Sequence, residues 1–143
     1  MLYYTGTGRD SSDIILDQAN QFEKNNDSAI QAAHTIKEIS YRMKESILKG
    51  DIDNIGRLLD ISWNNKKKLS NEISNSLLDE IYSTAIAAGA NGGKISGAGG
   101  GGFMMFYCPA NSKHKVIKEL MKFGGRAYNF VFVEDGLYSF TVK

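Results

Sequence analysis

Apolar side chains recur every three or four residues in four stretches within the first 90 residues of the chain. Positions with this spacing lie on one face of an α-helix, so each stretch predicts an amphipathic helix. Asp10, Ser11 and Ser12 precede the first stretch as candidate N-caps, and Gly50 follows the second as a helix stop. The stretches cover residues 14–22, 30–47, 55–63 and 77–86.

The spacing changes after Gly89, where runs of β-prone residues replace the helical stripes. One further amphipathic helix is predicted over residues 112–123. The turn signal Glu134-Asp135-Gly136 separates the last two β-prone runs and predicts a hairpin. Helices and strands that follow in runs, without regular alternation, indicate an α+β fold with helices packed on one face of a mainly antiparallel sheet. The predicted strands cover residues 2–5, 94–96, 103–108, 128–133 and 137–142.

The composition is that of one soluble globular domain. The 143 residues are 42% hydrophobic, and 17 basic against 16 acidic side chains leave a formal net charge of +1. This balance argues against a nucleic-acid or anionic-membrane partner. A single cysteine, Cys108, excludes an internal disulfide, and with His34 and His114 it forms no familiar zinc pattern. Since no signal-peptide or membrane-span pattern is visible, we expect a cytoplasmic protein without a metal site of its own.

A glycine-rich segment lies between two predicted strands. Five of the six residues 97–102 are glycine, so the backbone can adopt positive φ repeatedly and approach a ligand closely. Successive amides in such a segment can bind phosphate, and a plain wide turn is the alternative. It is not a Walker A loop, because Lys94 precedes the glycines, nor a dinucleotide fingerprint, because a strand follows them. The candidate phosphate-binding residues are Lys94, Ser96, Gly97, Ala98, Gly99, Gly100, Gly101 and Gly102.

Basic residues outside this segment are further candidates for an anion site. Lys66 and Lys67 belong to a run of three lysines at the end of the third predicted helix. Successive helical positions point about 100° apart, so at most two of the lysines can face one pocket. Arg9 lies in a glycine-flanked loop just before helix N-caps, where a guanidinium and free amides can bind an anion together. A solvated surface position fits each of these residues as well, and the sequence leaves both interpretations open.

The string from Gly92 to Phe103, Gly-Gly-Lys-Ile-Ser-Gly-Ala-Gly-Gly-Gly-Gly-Phe, resembles the third motif of the GHMP kinases, a superfamily of small-molecule kinases. Residues 4–12 are similar to the strand and loop that open the C-terminal domain of these kinases. Residues 63–90 are similar to the stretch before the motif in the heptose-phosphate branch of the superfamily. The resemblance therefore covers nearly the whole chain.

This resemblance implies a ferredoxin-like GHMP kinase C-terminal domain over residues 1–143. The intact kinase would transfer the γ-phosphoryl group of ATP, with Mg²⁺, to a sugar phosphate, namely heptose 7-phosphate at its anomeric hydroxyl. The glycine segment would border the phosphates, and Arg9, Lys66 and Lys67 would bind the acceptor. No catalytic residue is expected here, because the superfamily's main ATP-phosphate motif, Pro-x3-Gly-Leu-x-Ser-Ser-Ala, does not occur in the sequence.

The missing motif leaves two interpretations open. In the first, the chain is the C-terminal part of a sugar kinase and is inactive without an N-terminal domain. An exposed apolar face would then be covered by that domain or by self-association. In the second, the chain is a stand-alone ligand-binding or regulatory module that retains the glycine segment without catalysis.

Overall fold

A computed structural model of the chain describes residues 1–8 and 10–141, which form one four-stranded sheet and five α-helices. The strands are β1 (Leu2–Tyr4), β2 (Gly92–Ile95), β3 (Phe103–Tyr107) and β4 (Arg126–Tyr128). The helices are α1 (Ser11–Glu23), α2 (Asp27–Lys49), α3 (Asp53–Lys66), α4 (Ser76–Ala87) and α5 (Ser112–Leu120), and a 3-10 turn over Met121–Phe123 follows α5. None of these helices combines the length and the hydropathy that a bilayer crossing requires.

The strands lie in the order β2–β3–β1–β4, and every neighbouring pair is antiparallel. β1 is inside the sheet, where Tyr3 lies opposite Met104 of β3 and Ala127 of β4. Four helices connect β1 to β2, and α5 connects β3 to β4. This strand order with two helical crossovers is the ferredoxin-like arrangement. The predicted α+β class and antiparallel sheet are therefore confirmed.

Side-chain and glycine caps set the helix ends. Asp10 accepts a hydrogen bond from the Ser12 amide at 2.9 Å and caps α1, as predicted. Gly50 ends α2 in the left-handed region at φ 72°, also as predicted. Asn26 and Asn75 cap α2 and α4 through their side-chain oxygens, although the apolar stripes gave no sign of them. The helix boundaries thus depend on local polar contacts that supplement the apolar pattern.

The core lies on the sheet face that carries Tyr3, Met104 and Phe106, all of which are buried. Ile81 of α4 and Leu120 of α5 belong to the same buried cluster and are fully inaccessible to solvent. Burial of an aliphatic or aromatic side chain of this kind stabilises the fold by about 1.5–3 kcal/mol. The Tyr3 hydroxyl donates to the Leu120 carbonyl at 2.9 Å, so its polar atom is satisfied inside the core.

α3 lies directly against β2, and glycine at two positions makes this contact possible. A Cβ atom at Gly92 would come within 1.9 Å of the Gly56 carbonyl oxygen. A Cβ atom at Gly56 would lie 2.8 Å from side-chain carbons of Asn91 and Tyr107. Neither position can therefore hold a larger residue unless the helix moves away from the strand. We call this contact the Gly56–Gly92 junction; it holds the first turn of α3 against the start of β2, the strand that leads into the glycine segment.

The two strands predicted at the C-terminal end are not formed. β4 has three residues, and residues 129–141 adopt neither helix nor strand. Tyr128 pairs with Leu2 in antiparallel register, so β1 offers almost no backbone beyond that pair to continue the ladder. Without a neighbouring strand, apolar side chains of this segment stay in solvent, and Phe132 is 93% exposed. The predicted hairpin is wrong over the described residues, because a β-prone run and a turn signal supply no hydrogen-bond partner by themselves. Residue 142 lies outside the described residues.

Candidate functional site

The glycine loop, residues 96–102, connects β2 to β3. The Ser96 amide donates to the Phe103 carbonyl at 2.8 Å and closes the loop at its base. Five of its residues have positive φ, a region that glycine enters without the steric cost that other residues meet. They are Gly97 (82°), Gly99 (134°), Gly100 (72°), Gly101 (145°) and Gly102 (83°). The loop glycines therefore have the conformation that the sequence predicts.

Backbone hydrogen bonds hold this loop against two other segments of the chain. The Gly100 amide donates to the Ile73 carbonyl at 2.8 Å, and the Gly102 amide donates to the Thr7 carbonyl at 2.7 Å. The backbone passes so close to Thr7 that a Cβ atom at Gly101 would lie 2.6 Å from the same carbonyl oxygen. The loop is thus tethered, and its position depends on the segments before α1 and before α4.

The tethers reduce the number of amides that an anion can use. The Gly100 and Gly102 amides already donate to carbonyls inside the protein. In the part of the chain that the structure describes, four loop amides have no acceptor: Gly97, Ala98, Gly99 and Gly101. Gly97 is exposed and Ala98 and Gly99 are partly exposed, whereas Gly101 is buried. Main-chain amides that a ligand can reach bind phosphate oxygens. These four residues of the predicted phosphate-binding loop therefore have an amide that donates to no acceptor among the described residues.

Lys66, in the last turn of α3, reaches the glycine loop. Its ammonium group donates to the Gly97 carbonyl, and the side chain is half-buried there. Burial, followed by the positive charge of Lys94, lowers the pKa of the Lys66 ammonium to about 8. No carboxylate of residues 1–8 and 10–141 lies within 4.0 Å of either ammonium. The structure therefore brings two cations close to the loop without an acidic partner.

Lys67, the next residue, has different contacts. Its ammonium forms an ion pair with Asp79 of α4 at 3.1 Å and lies 5.7 Å from the centre of the Trp63 ring. The Ser74 hydroxyl donates to the same Asp79 oxygen at 3.0 Å. Trp63 is fully buried, so Lys67 lies over a core residue and links α3 to α4. Of the two lysines predicted to bind the acceptor, the structure thus brings Lys66 to the loop and Lys67 to Asp79.

Of the other predicted site residues, Lys94 lies before the loop, Ser96 and Ala98 lie in it, and Arg9 is not described. Lys94 of β2 pairs with Met105 of β3, so its side chain leaves the sheet on the face opposite the core. Ser96 is exposed, whereas Ala98 packs against the buried cluster. Arg9, the remaining predicted acceptor ligand, lies outside the described residues.

Sequence reasoning missed the groups that hold the site together. The carbonyls of Thr7 and Ile73 tether the loop, and since every residue carries a carbonyl, no side chain marks these two. Asp79, the partner of Lys67, lies 12 positions further along the chain. Its one signal in the sequence is an acidic residue in the first turn of a predicted helix, which is also explained by the helix dipole.

The donor set of the site fits phosphate better than it fits a metal ion. Ammonium groups and main-chain amides bind phosphate oxygens, whereas Mg²⁺ binds carboxylate and water oxygens. Among residues 1–8 and 10–141, no group of three His, Cys, Asp or Glu side chains could hold a metal ion. The donors found here are of the kind that the phosphates of the predicted ATP require, and the described residues present no ligand set for the predicted Mg²⁺.

Comparison with known proteins agrees with this geometry. The GHMP kinases C terminal family matches residues 43–126, which is more than half of the chain and includes the whole glycine loop. The chain belongs to the GHMP kinase family. The family that the loop sequence resembles is thereby confirmed. The matched residues include β2, β3 and the tethered loop between them.

Relatives of this GHMP domain are longer proteins. D-glycero-alpha-D-manno-heptose 7-phosphate kinase from Campylobacter jejuni is 35% identical over 142 residues, which cover 99% of this chain and 41% of the relative. The structure of L. major mevalonate kinase with R-mevalonate superposes with a TM-score of 0.77 at 20% identity, covering 85% of this chain and 37% of that one. The structure of Streptococcus pneumoniae phosphomevalonate kinase with phosphomevalonate and AMPPNP superposes with a TM-score of 0.66 at 21% identity, covering 87% of this chain and 36% of that one. The chain thus spans less than half the length of these kinases.

Proposed function

We propose that this GHMP domain is the C-terminal part of an ATP-dependent kinase that phosphorylates heptose 7-phosphate at its anomeric hydroxyl. The observation that carries the proposal is the 35% identity to the Campylobacter jejuni heptose 7-phosphate kinase over 99% of the chain. The glycine loop supports it, because its free amides and Lys66 are donors of the kind that phosphate groups need.

In this proposal the chain binds and orients phosphate groups and transfers no proton. Phosphoryl transfer depends chiefly on positioning and on stabilisation of the charge on the transferred group. The free amides at Gly97 and Gly99 and the Lys66 ammonium supply that stabilisation from one side. The tethers to Ile73 and Thr7 hold the loop in place, so little reorganisation is needed when the charge moves. The residue that activates the sugar hydroxyl belongs to the N-terminal part.

The proposal includes contact between this domain and that N-terminal part. Ile15 and Leu16 on α1 are 57% and 62% exposed, which makes them candidates for a covered face. In the isolated chain the same face would favour self-association. Sedimentation of the wild type and of Leu16→Lys tests this: we expect a concentration-dependent oligomer that the substitution weakens. A monomer at every concentration for both proteins contradicts the prediction.

The kinase activity can be tested in a chimaera in which this chain replaces the matching segment of the Campylobacter jejuni relative. With MgATP and heptose 7-phosphate, we expect ³¹P NMR to detect a new anomeric phosphate, and the isolated chain to produce none. A folded chimaera that phosphorylates another sugar but not heptose 7-phosphate overturns the proposed substrate. A second chimaera that carries only residues 92–103 controls for failure of the larger exchange to fold.

Titration of the isolated chain with MgATP and with heptose 7-phosphate tests the other interpretation. A half-site should bind either ligand at millimolar concentration or more weakly. Micromolar binding of either ligand would mean that the chain carries a complete pocket, and would favour a stand-alone binding module over a part of a kinase.

A further inference from the structure

β4 forms one edge of the sheet, and no strand pairs with its outer side within residues 1–8 and 10–141. The other edge strand, β2, lies against α3 at the Gly56–Gly92 junction. Arg126 and Tyr128 of β4 are exposed. An uncovered edge strand offers a row of unpaired main-chain groups to another chain, which is why proteins usually cover or interrupt such edges. The outer side of β4 is therefore a place where a further strand can be added.

The hydrogen bonds of β1 show which main-chain groups of β4 face this free edge. Met1 exchanges both of its main-chain hydrogen bonds with Phe106 of β3. Because main-chain groups alternate in direction along a strand, the even-numbered residues of β1 bond to β4, and one of them, Leu2, lies opposite Tyr128. Ala127 therefore points its amide and carbonyl toward the free edge. In a strand that continues β4, the odd-numbered residues point the same way.

The chain continues beyond β4 with a β-prone run that has little cover. We call residues 126–134, which comprise β4, this run and one acidic residue, the edge segment. Phe130 and Phe132 line a groove with Met105 of β3, on the sheet face opposite the core. Even so, Phe132 is 93% exposed and Val131 is 81% exposed. Large apolar side chains beside a free sheet edge indicate a surface that another chain covers.

The edge segment is complementary to itself. We lay two copies of it antiparallel, with Phe130 of one copy opposite Phe130 of the other. Positions at equal distances on either side of this centre then lie opposite each other, so Tyr128 faces Phe132 and Arg126 faces Glu134. Two-fold symmetry repeats both of these pairs. Every even-numbered pair is therefore aromatic or of opposite charge, and both kinds of pair stabilise neighbouring strands.

The direction of the main-chain groups agrees with this register. Odd-numbered residues face the free edge, so they would exchange hydrogen bonds with the partner. The even-numbered residues would then form the pairs without hydrogen bonds, in which side chains come closest. The smallest shift that keeps odd-numbered residues opposite each other is two positions. Such a shift places Arg126 opposite Phe132 or Gly136 and loses both ion pairs.

The charges at the two ends of the edge segment have no counter-charge within one copy. Among the described residues, no ion pair includes Arg126 or Glu134. The Arg126 guanidinium lies 5.5 Å from the centre of the Tyr128 ring. It is thus already on the face of the sheet where a partner's Glu134 would arrive.

We propose that two copies of this chain pair antiparallel through the edge segment, with Phe130 on the two-fold axis. The two four-stranded sheets then become one sheet of eight strands. The occupant is a second copy, because the charges and rings of the edge segment complement those of the same segment. This interface goes beyond the proposed kinase activity and does not depend on it.

Exchange of the two charges tests the register by sedimentation, in a Leu16→Lys background that weakens association through α1. Arg126→Glu and Glu134→Arg each place like charges opposite each other twice, so each alone should dimerise at least ~10-fold more weakly than the parent. In an equimolar mixture of the two variants, a heterodimer regains both pairs of opposite charge, and its affinity should return to within ~3-fold of the parent.

Asp135→Arg is the matched control for this exchange. It makes the same change of charge one position away, opposite Gly125 of the partner, and should stay within ~3-fold of the parent. Thermal melting identifies any variant that fails to fold. A parent that is monomeric at every concentration, a mixture that does not associate, or a control as weak as Glu134→Arg overturns the proposal.

A cross-link tests the position of the two-fold axis. In a Cys108→Ser background, Phe130→Cys brings two thiols together, since the Cα atoms of such a pair are about 4.5 Å apart, within the range of a disulfide. Phe132→Cys is the control, because its two copies would be four positions apart along the strands, about 13 Å. With oxidised glutathione we expect a covalent dimer from the first variant only. Equal yields from both overturn the register.

The chimaera distinguishes a second copy from the N-terminal part as the occupant. We expect it to sediment as a dimer and to form the same Phe130→Cys cross-link between two chains. A monomeric chimaera overturns the proposal, and protection of amides 129, 131 and 133 from hydrogen exchange would then identify the N-terminal part as the partner. A monomeric chimaera can still phosphorylate heptose 7-phosphate, so failure of this interface and failure of the proposed function give different results.

Discussion

Two groups of glycines in this domain do different physical work. At the Gly56–Gly92 junction, glycine is needed because no space exists for a Cβ atom between helix and strand. In the glycine loop, Gly97 and Gly102 have open space around them, and glycine is needed for positive φ. Gly101 combines both requirements. Glycine at these positions is therefore no evidence of flexibility, since Gly56 and Gly92 allow a packed contact and the glycines of the loop form a tethered segment.

The largest effect is expected from Gly92→Ala at the junction. The added methyl group would lie 1.9 Å from a backbone oxygen of α3, so the helix must separate from the sheet. We expect a loss of about 3 kcal/mol or more in the free energy of unfolding, measured by urea denaturation. Gly136→Ala is the matched control, since nothing lies within 4 Å of that position and no change beyond about 0.5 kcal/mol is expected. A similar loss in the free energy of unfolding for the two variants would contradict the steric explanation of the junction.

Gly101→Ala should have the next largest effect. Its Cβ atom would lie 2.6 Å from the Thr7 carbonyl, and its φ of 145° is strained for any other residue. Because a loop shifts away from Thr7 at a lower cost than α3 separates from the sheet, we expect a smaller loss of about 2 kcal/mol in the free energy of unfolding. Hydrogen exchange should show faster exchange of the Gly102 amide, which donates to Thr7. Unchanged protection of that amide contradicts the tether.

The pH dependence of stability tests how Lys66 is held against the loop. Its pKa is lowered from 10.5 to about 8 on folding, so between these values the unfolded chain binds more protons. The free energy of unfolding should therefore rise with pH across this window, and the full cost of the buried charge should be present below pH 8. We expect a gain of about 1.5 kcal/mol after allowance for partial exposure.

The measurement is the difference between the wild type and Lys66→Met, which cancels the contributions of other groups that titrate in the same window. Cys108 is one of these, since burial raises the pKa of its thiol and acts in the opposite direction. Parallel stability curves for the two proteins from pH 7 to pH 10.5 would mean that Lys66 points into solvent.

Gly97→Ala should have the smallest effect on stability. No atom lies within 4 Å of the added methyl group, so the cost is that of a left-handed residue, about 1 kcal/mol in thermal denaturation. If the same variant also weakens phosphate binding, the shape of the loop, and not only its stability, matters at the Lys66 site. A loss as large as that of Gly92→Ala would erase the distinction between the two groups of glycines.

The sequence predicts the fold well because its signals are local and repeated. Four apolar stripes, the Asp10 cap and the Gly50 stop describe most of the helical layer, and the run from Phe103 indicates a central strand. The last two strands fail because a strand also needs a neighbour, and pairing is not encoded within the segment itself. A β-prone run was therefore a sufficient signal for Phe103–Tyr107 and an insufficient one for residues 129–141.

The candidate site is also predicted only in part, but for a different reason from the two missing strands. The loop glycines and Lys66 could be chosen from the sequence because residue type and motif mark them. Nothing local distinguishes Lys66 from Lys67, because their roles depend on how α3 is rotated against β2, which the Gly56–Gly92 junction decides. The carbonyls of Thr7 and Ile73 could not be chosen at all.

The single tryptophan of the chain gives this arrangement a built-in optical reporter. Trp63 lies one turn before Lys67 on α3, is fully buried, and its indole N–H has no hydrogen-bond partner in the described residues. All indole emission therefore originates at one place, under the cation of Lys67 and next to the lysine that reaches the loop. A binding event that shifts α3 will change the colour or intensity of that emission, whereas an event elsewhere on the surface will not.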